Sequence, residues 1–302
     1  MSADPTPGPS PEEILALRPA EADALLDSLE DRIPRHPRFV SIRGAFREAI
    51  VIGDTHGDWR STREAVARFE AGGIPRCLVG LGDYIDRPPP DCGAGSVANA
   101  LYLLGLAGRY PDRVFLVQGN HEAARTIPAS PHDLPQEIET LWGSDGGDRY
   151  RRLMELLERG PYAAALPNAI YCAHAGFPLI GNRSEWPGAF DRLDEAGAMQ
   201  ILWAACDESK NRRDAGIPWG GRDLERFFRA TAFRIFLRGH DPDLTGQPLF
   251  DGRCLTLQTT RVYQRFAGVL LARVPLGHPL QSLRDVGIEH LPTEGRRFPL
   301  PR

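Results

Sequence analysis

Short apolar runs alternate along the chain with stretches whose apolar residues recur every three or four positions. Runs at 49–52, 77–81, 114–117, 169–173 and 233–237 are compact, apolar and bounded by Gly or polar residues, which reads as buried strands. Between them, 59–71, 96–106, 135–142, 148–159, 193–205 and 223–230 carry helical periodicity. Gly72-Gly73 ends the first of these, and Ser96 offers a cap to the second. Upstream, Ile14, Leu15, Leu17, Leu25, Leu26 and Leu29 recur near helical spacing on either side of Pro19, predicting two short amphipathic helices packed on the main body. Downstream, 254–257 and 268–273 read as a hairpin-like pair of strands. The alternation predicts an α/β chain with no internal repeat and no linker through its centre.

The residues at the carboxyl end of each run are more telling than the run itself. A small residue and a metal-capable side chain come directly after five of them: Asp54 and His56, then Asp83, Asn120, His174 and His240. In alternating α/β folds the loops at strand carboxyl ends converge on one edge, so these donors are expected to meet. Imidazole, carboxylate and amide oxygen without thiolate suit two divalent ions of the manganese, iron, zinc or nickel kind. Two such ions about 3.5–4 Å apart activate a bridging water for in-line attack, and Asp83 is the natural carboxylate to lie between them.

Composition narrows the picture. A chain of 302 residues with a net charge of -4 is an ordinary globular protein without general attraction for nucleic acid or an anionic membrane. Lys210 is the only lysine among the basic residues. Cys77, Cys92, Cys172, Cys206 and Cys254 are odd in number and widely spaced, which fits neither a disulfide framework nor a zinc ribbon. The Pro-rich start, 1–11, lacks a basic region followed by an apolar one, and no run reaches membrane-span length. A reducing cytoplasmic setting is expected; the oligomeric state stays open.

Gly53-Asp54-Thr55-His56-Gly57, Gly82-Asp83-Tyr84-Ile85-Asp86-Arg87, Gly119-Asn120-His121-Glu122, His174-Ala175-Gly176 and Arg238-Gly239-His240 resemble, in order, the five motifs of the phosphoprotein phosphatase family of calcineurin-like metallophosphoesterases. The likeness runs from about 49 to 274. It implies a two-sheet β-sandwich flanked by helices. It implies one metal on Asp54, His56 and Asp83, and a second on Asp83, Asn120, His174 and His240, most readily manganese. It also implies His121 as general acid oriented by Asp86, with Arg87, Arg222 and Tyr263 holding substrate. Physically, two cations and two guanidinium forks would offset a phosphate dianion, and a protonated imidazole would supply the leaving alkoxide.

The chain departs from the family pattern in places. Pro88-Pro89-Pro90 follows Arg87 where Gly is usual, Gln118 stands where Arg is common, and the acid usual after Trp203 is missing, with Asp207 as a stand-in. Asp91 and Cys92 read as surface-loop residues. Trp186, Trp203, Trp219, Phe227 and Phe228 read as packing before they read as a groove. The expected organisation is an N-terminal segment over 1–48, a catalytic domain over 49–275 and a loosely packed tail over 276–302. The expected function is a serine/threonine protein phosphatase acting on a phosphorylated protein or small phosphoester. A dinucleoside polyphosphate hydrolase and a non-catalytic phosphoprotein-binding relative are the alternatives.

Overall fold

A computed structural model describes residues 8–293 apart from 144–145, 180–184, 187, 211–214 and 279. The first seven residues of the Pro-rich start and the closing 296–302 stretch lie outside the described residues.

Two sheets face each other. One has strands β2 (Glu48–Ile52), β3 (Arg76–Gly80) and β4 (Val114–Leu116) parallel, with β10 (Leu270–Pro275) antiparallel to β2 and β11 (Gly287–His290) at the edge, in the order β11-β10-β2-β3-β4. The other runs β1-β5-β6-β7-β9-β8, built from β1 (Phe39–Ser41), β5 (Ala163–Leu166), β6 (Ile170–Ala173), β7 (Ile235–Arg238), β8 (Pro248–Leu249) and β9 (Cys254–Thr256). The central strands are covered on both faces, which is why they read as continuous apolar runs. Alternate residues divide between layers. Ala49 and Val51 meet Cys172, Leu237 and Leu255 in the core between the sheets. Ile50 and Ile52 face outward to the helical layer. On the opposite outer face, Tyr171 and Phe236 pack with Trp219 and Phe227.

The helical layer on the first sheet holds α1 (Pro11–Leu15), α2 (Pro19–Arg32), α3 (Trp59–Glu70), α4 (Gly95–Arg109), α5 (Leu134–Trp142) and α6 (Gly146–Leu157). The two N-terminal helices are integral to it. Ser10 and Glu13 form a reciprocal capping box at α1. Ile14, Leu26 and Leu29 are buried beside Leu103 and Leu153. Trp142 Nε1 donates to the Leu17 carbonyl at 3.0 Å, and Arg149 makes a two-point ion pair with Asp23. Over the second sheet lie α7 (Glu195–Leu202) and α8 (Gly221–Thr231), with the short α9 (Gln264–Ala267) before β10.

Two expectations are corrected. The stretches at 254–257 and 268–273 do not form a hairpin: β9 and β10 belong to different sheets. The chain between them crosses from one sheet to the other, with Leu270 N donating to the Gln258 carbonyl and Thr259 Oγ1 to the Leu270 carbonyl. Nor is the segment after 275 a loose tail as far as it is described. Leu280, Leu283, Val286 and Leu291 are buried, and β11 pairs with β10.

Candidate active site and metal centre

Parallel β2, β3 and β4 deliver their following loops to one end of the sandwich, and parallel β6 and β7 deliver theirs to the same place. Asp54, His56, Asp83, Asn120, His174 and His240 are all buried there. Asp83 is the hub. Its Oδ2 lies 3.4 Å from His174 Nε2, 3.6 Å from His56 Nε2 and 3.9 Å from His121 Nε2. Asp54 stands beside it, with Oδ2 3.9 Å from His56 Nε2 and Oδ1 3.7 Å from His174 Nδ1. Asn120 Oδ1 faces His174 Nε2 at 2.9 Å and His240 Nδ1 at 3.2 Å.

The local backbone is bent to achieve this. His56, Asp83, Asp86, Arg87 and His240 all have positive φ, a conformation that costs an L-residue roughly 1–2 kcal/mol. Hydrogen bonds offset the cost. Thr55 and His56 N–H both donate to the Asp83 carbonyl, and the Asp83 and Tyr84 N–H groups donate to the Glu122 carboxylate at 2.7 and 2.8 Å. Glycine is needed at 239 and 119, because a Cβ there would collide with the Asp54 and Asp83 carboxylates.

These residues fit a pair of divalent cations on their own evidence. Nδ1 of His56 and of His174 lies 3.1 and 2.9 Å from the Ile85 and Leu81 carbonyls, which places the hydrogen there and leaves each Nε2 lone pair facing carboxylate oxygen. His174 Nε2 and His240 Nδ1 stand only 3.2 Å apart with Asn120 Oδ1 against both, a knot of ligand-capable atoms around one space. Burial, opposed by His174 and reinforced by the charge on Asp83, pushes Asp54 up to about 6. Burial and the Asp83 charge push Glu122 up to about 8 despite its three backbone donors. Burial lowers the His174 pKa, but the Asp83 and Asp54 charges outweigh it and push it up to about 9, so the carboxylates draw positive charge into the middle. Two of the ligand groupings, Asp54-Asp83-His174 and His56-Asp83-His121, share Asp83.

Around the donors sit the groups expected to meet substrate. His121 Nδ1 is 2.5 Å from Asp86 Oδ2, while its Nε2 is buried with no hydrogen-bond partner among the described residues. Arg87 Nη1 donates to Tyr263 Oη at 3.1 Å and lies 3.5 Å from His56 Nε2. Arg222 is not brought in. It stands exposed in the first turn of α8 and has no hydrogen bond or ion pair to the cluster among the described residues.

Other residues find structural places. Buried Arg238 pairs with Asp241 at 2.7 Å. Trp219 and Phe227 are fully buried, and Trp203 is buried with its ring 6.2 Å from that of His240. Asp91 and the wholly buried Asp58 both take the Arg261 guanidinium, tying the three-proline loop to the stretch that carries Tyr263. Sequence reasoning missed Glu122 as the brace of the second motif, Asn99, which donates to Thr55 Oγ1 and the Tyr84 carbonyl, and His132, 2.8 Å from Asp86 Oδ2.

Comparison with known proteins agrees with this geometry. The calcineurin-like phosphoesterase family matches residues 49–244. The serine/threonine-protein phosphatase PP2A-like PPG1 of Candida albicans is 28% identical over 259 residues, 82% of this chain and 59% of that one. The serine/threonine-protein phosphatase 4 catalytic subunit of Saccharomyces cerevisiae is 26% identical over 265 residues, 81% of this chain and 82% of its own. A solved Saccharomyces cerevisiae protein serine/threonine phosphatase with similarity to human phosphatase PP5 shares the fold, at a TM-score of 0.69 and 20% identity over 95% of this chain and 92% of that one.

Proposed function

Because the chain belongs to the calcineurin-like phosphoesterase family, we propose that it is a dinuclear-metal phosphomonoesterase acting on phosphoserine and phosphothreonine in proteins. The observation that carries this reading is Asp83, one buried carboxylate within 3.4–3.9 Å of three imidazole nitrogens and common to two ligand groupings. The names of the protein-phosphatase relatives supply the substrate class.

Asp54, His56 and Asp83 would hold one cation, and Asp83, Asn120, His174 and His240 the other. When bound, the pair supplies an activated water and neutralises phosphate charge. Manganese heads the candidates because the donors are imidazole, carboxylate and amide oxygen with no thiolate. Arg87 presents planar N–H donors that would grip phosphate oxygens, steadied by Tyr263. As the water oxygen bonds to phosphorus and the ester P–O bond breaks, His121 Nε2–H would give its proton to the departing oxygen. Burial would raise the Asp86 pKa, but the hydrogen bonds from His121 and His132 outweigh it and hold this carboxyl well below the usual range, so it stays ionised behind the imidazolium. Five free, buried cysteines favour a reducing compartment such as the cytoplasm.

The test is turnover by the manganese-loaded protein of a phosphopeptide, diadenosine tetraphosphate and phenyl phosphate. Phosphopeptide turnover with two metal equivalents bound is expected. A large preference for the dinucleotide, or binding of phosphopeptide without release of phosphate, would replace the reading.

A further inference from the structure

The Asp86 carboxylate holds two imidazoles, not one. Its Oδ2 lies 2.5 Å from His121 Nδ1 and 2.8 Å from His132 Nδ1, and its Oδ1 accepts the N–H groups of Asp133 and Leu134 at 2.7 and 3.0 Å. An ionised carboxylate only accepts, so both ring nitrogens must donate. The far side of the His132 ring is held too: its Nε2 lies 3.0 Å from the Tyr150 hydroxyl on α6. Four donors fix Asp86 in position and in plane. The same loop grips the neighbouring arginine. Asp133 Oδ2 accepts Arg87 N–H at 2.8 Å, and the Ser130 carbonyl accepts Arg87 Nη2–H at 3.0 Å.

Asp86, His121 and His132 also have the composition of a metal site. The 2.5 Å contact argues against it, because two ligands on one zinc-like ion stand about 3 Å or more apart. The cluster is a hydrogen-bonded brace.

We propose that His132 is a positioning residue for the proton-donating imidazole, acting through Asp86 and anchored by Tyr150. The proposal rests on the phosphomonoesterase reading. Without the His132 hydrogen bond Oδ2 is held by His121 alone, while Oδ1 keeps its two backbone donors, so the carboxylate can tilt about its Cβ–Cγ bond, carry His121 with it and turn Nε2 away from the leaving oxygen. Loss of a charge-assisted hydrogen bond in that chain should cost about tenfold in kcat.

The experiment compares the metal-loaded wild type with His132→Ala, His132→Asn and Tyr150→Phe. On phenyl phosphate, a poor leaving group, His132→Ala should lower kcat about tenfold with KM nearly unchanged, and should lower it less on an activated aryl phosphate. His132→Asn places an amide N–H near the lost Nδ1 and should recover most of the rate. Equal loss on both substrates, no recovery with Asn, or a third metal equivalent that His132→Ala loses would overturn the proposal. A second readout needs no turnover. The far-downfield imidazole N–H proton resonance of His121 should move in His132→Ala and move less in Tyr150→Phe. A resonance that stays in place overturns the proposal even if the protein hydrolyses some other ester.

Discussion

Asp83 Oδ2 stands 3.4 Å from His174 Nε2, and this contact joins the two sheets at the site. Asp83 follows β3 of one sheet and His174 follows β6 of the other. The other Asp83 oxygen accepts the His121 N–H at 3.1 Å, which draws in the loop after β4. One carboxylate therefore ties three loops before any substrate arrives.

Asp83→Asn should abolish this junction as a ligand for both cations. Metal content by elemental analysis should fall below two equivalents, and kcat/KM should fall by at least about a hundredfold. Manganese should raise the Tm of the wild type and leave that of the variant nearly unmoved. A variant that keeps both metals would remove Asp83 from the bridging position.

His121→Asn should keep the metals and lose turnover. The loss should be on the order of a hundredfold or more on phenyl phosphate and much smaller on an activated aryl phosphate, whose leaving oxygen needs no proton. Parallel losses across a series of leaving groups would count against proton donation.

Arg87→Ala should raise KM and lower kcat together, because on the proposed reading its guanidinium would contact phosphate in the ground state and the transition state alike. Tyr263→Phe removes only the hydroxyl that receives Arg87 Nη1 at 3.1 Å, and should cost about fivefold, the worth of one ordinary hydrogen bond. Unchanged constants in Arg87→Ala would place that side chain outside the phosphate subsite.

Glu137 links stability to pH away from the metals. Burial, against hydrogen bonds from Ser96 and Val97, pushes it up to about 7. An unfolded glutamate titrates near about 4.3, so the native state holds an extra proton between the two values. Stability from this group is full below about 4.3 and is lost as pH rises towards about 7. Glu137→Gln should remove about 1–3 kcal/mol of that fall, read by urea unfolding of metal-free protein at pH 5 and pH 8. Equal pH dependence in the two proteins would show that Glu137 does not titrate as placed.

The donor-bearing loops were legible because each follows a strand covered on both faces, so that apolar run, small residue and donor are adjacent in sequence. His132 was not, because its partner Asp86 is 46 residues away and the loop between Ala129 and Leu134 shows no periodicity. β5 was hidden by its run of alanines, and β1 by having three residues. Arg222 sits in a motif-like neighbourhood, Trp219-Gly220-Gly221, whose tryptophan turns into the core while the arginine faces solvent, a division that the motif alone does not show. The crossing between β9 and β10 escaped because short range says nothing about which sheet a strand joins.

The two leading helices carry a practical consequence. The family resemblance begins at residue 49, yet Leu26 and Leu29 shield the same oily wall as Leu103 and Leu153, and Trp142 hangs from the Leu17 carbonyl. Trimming the gene to the recognisable part would leave that wall wet. The product would be a sticky fragment prone to clumping, and its inactivity would say nothing about the chemistry.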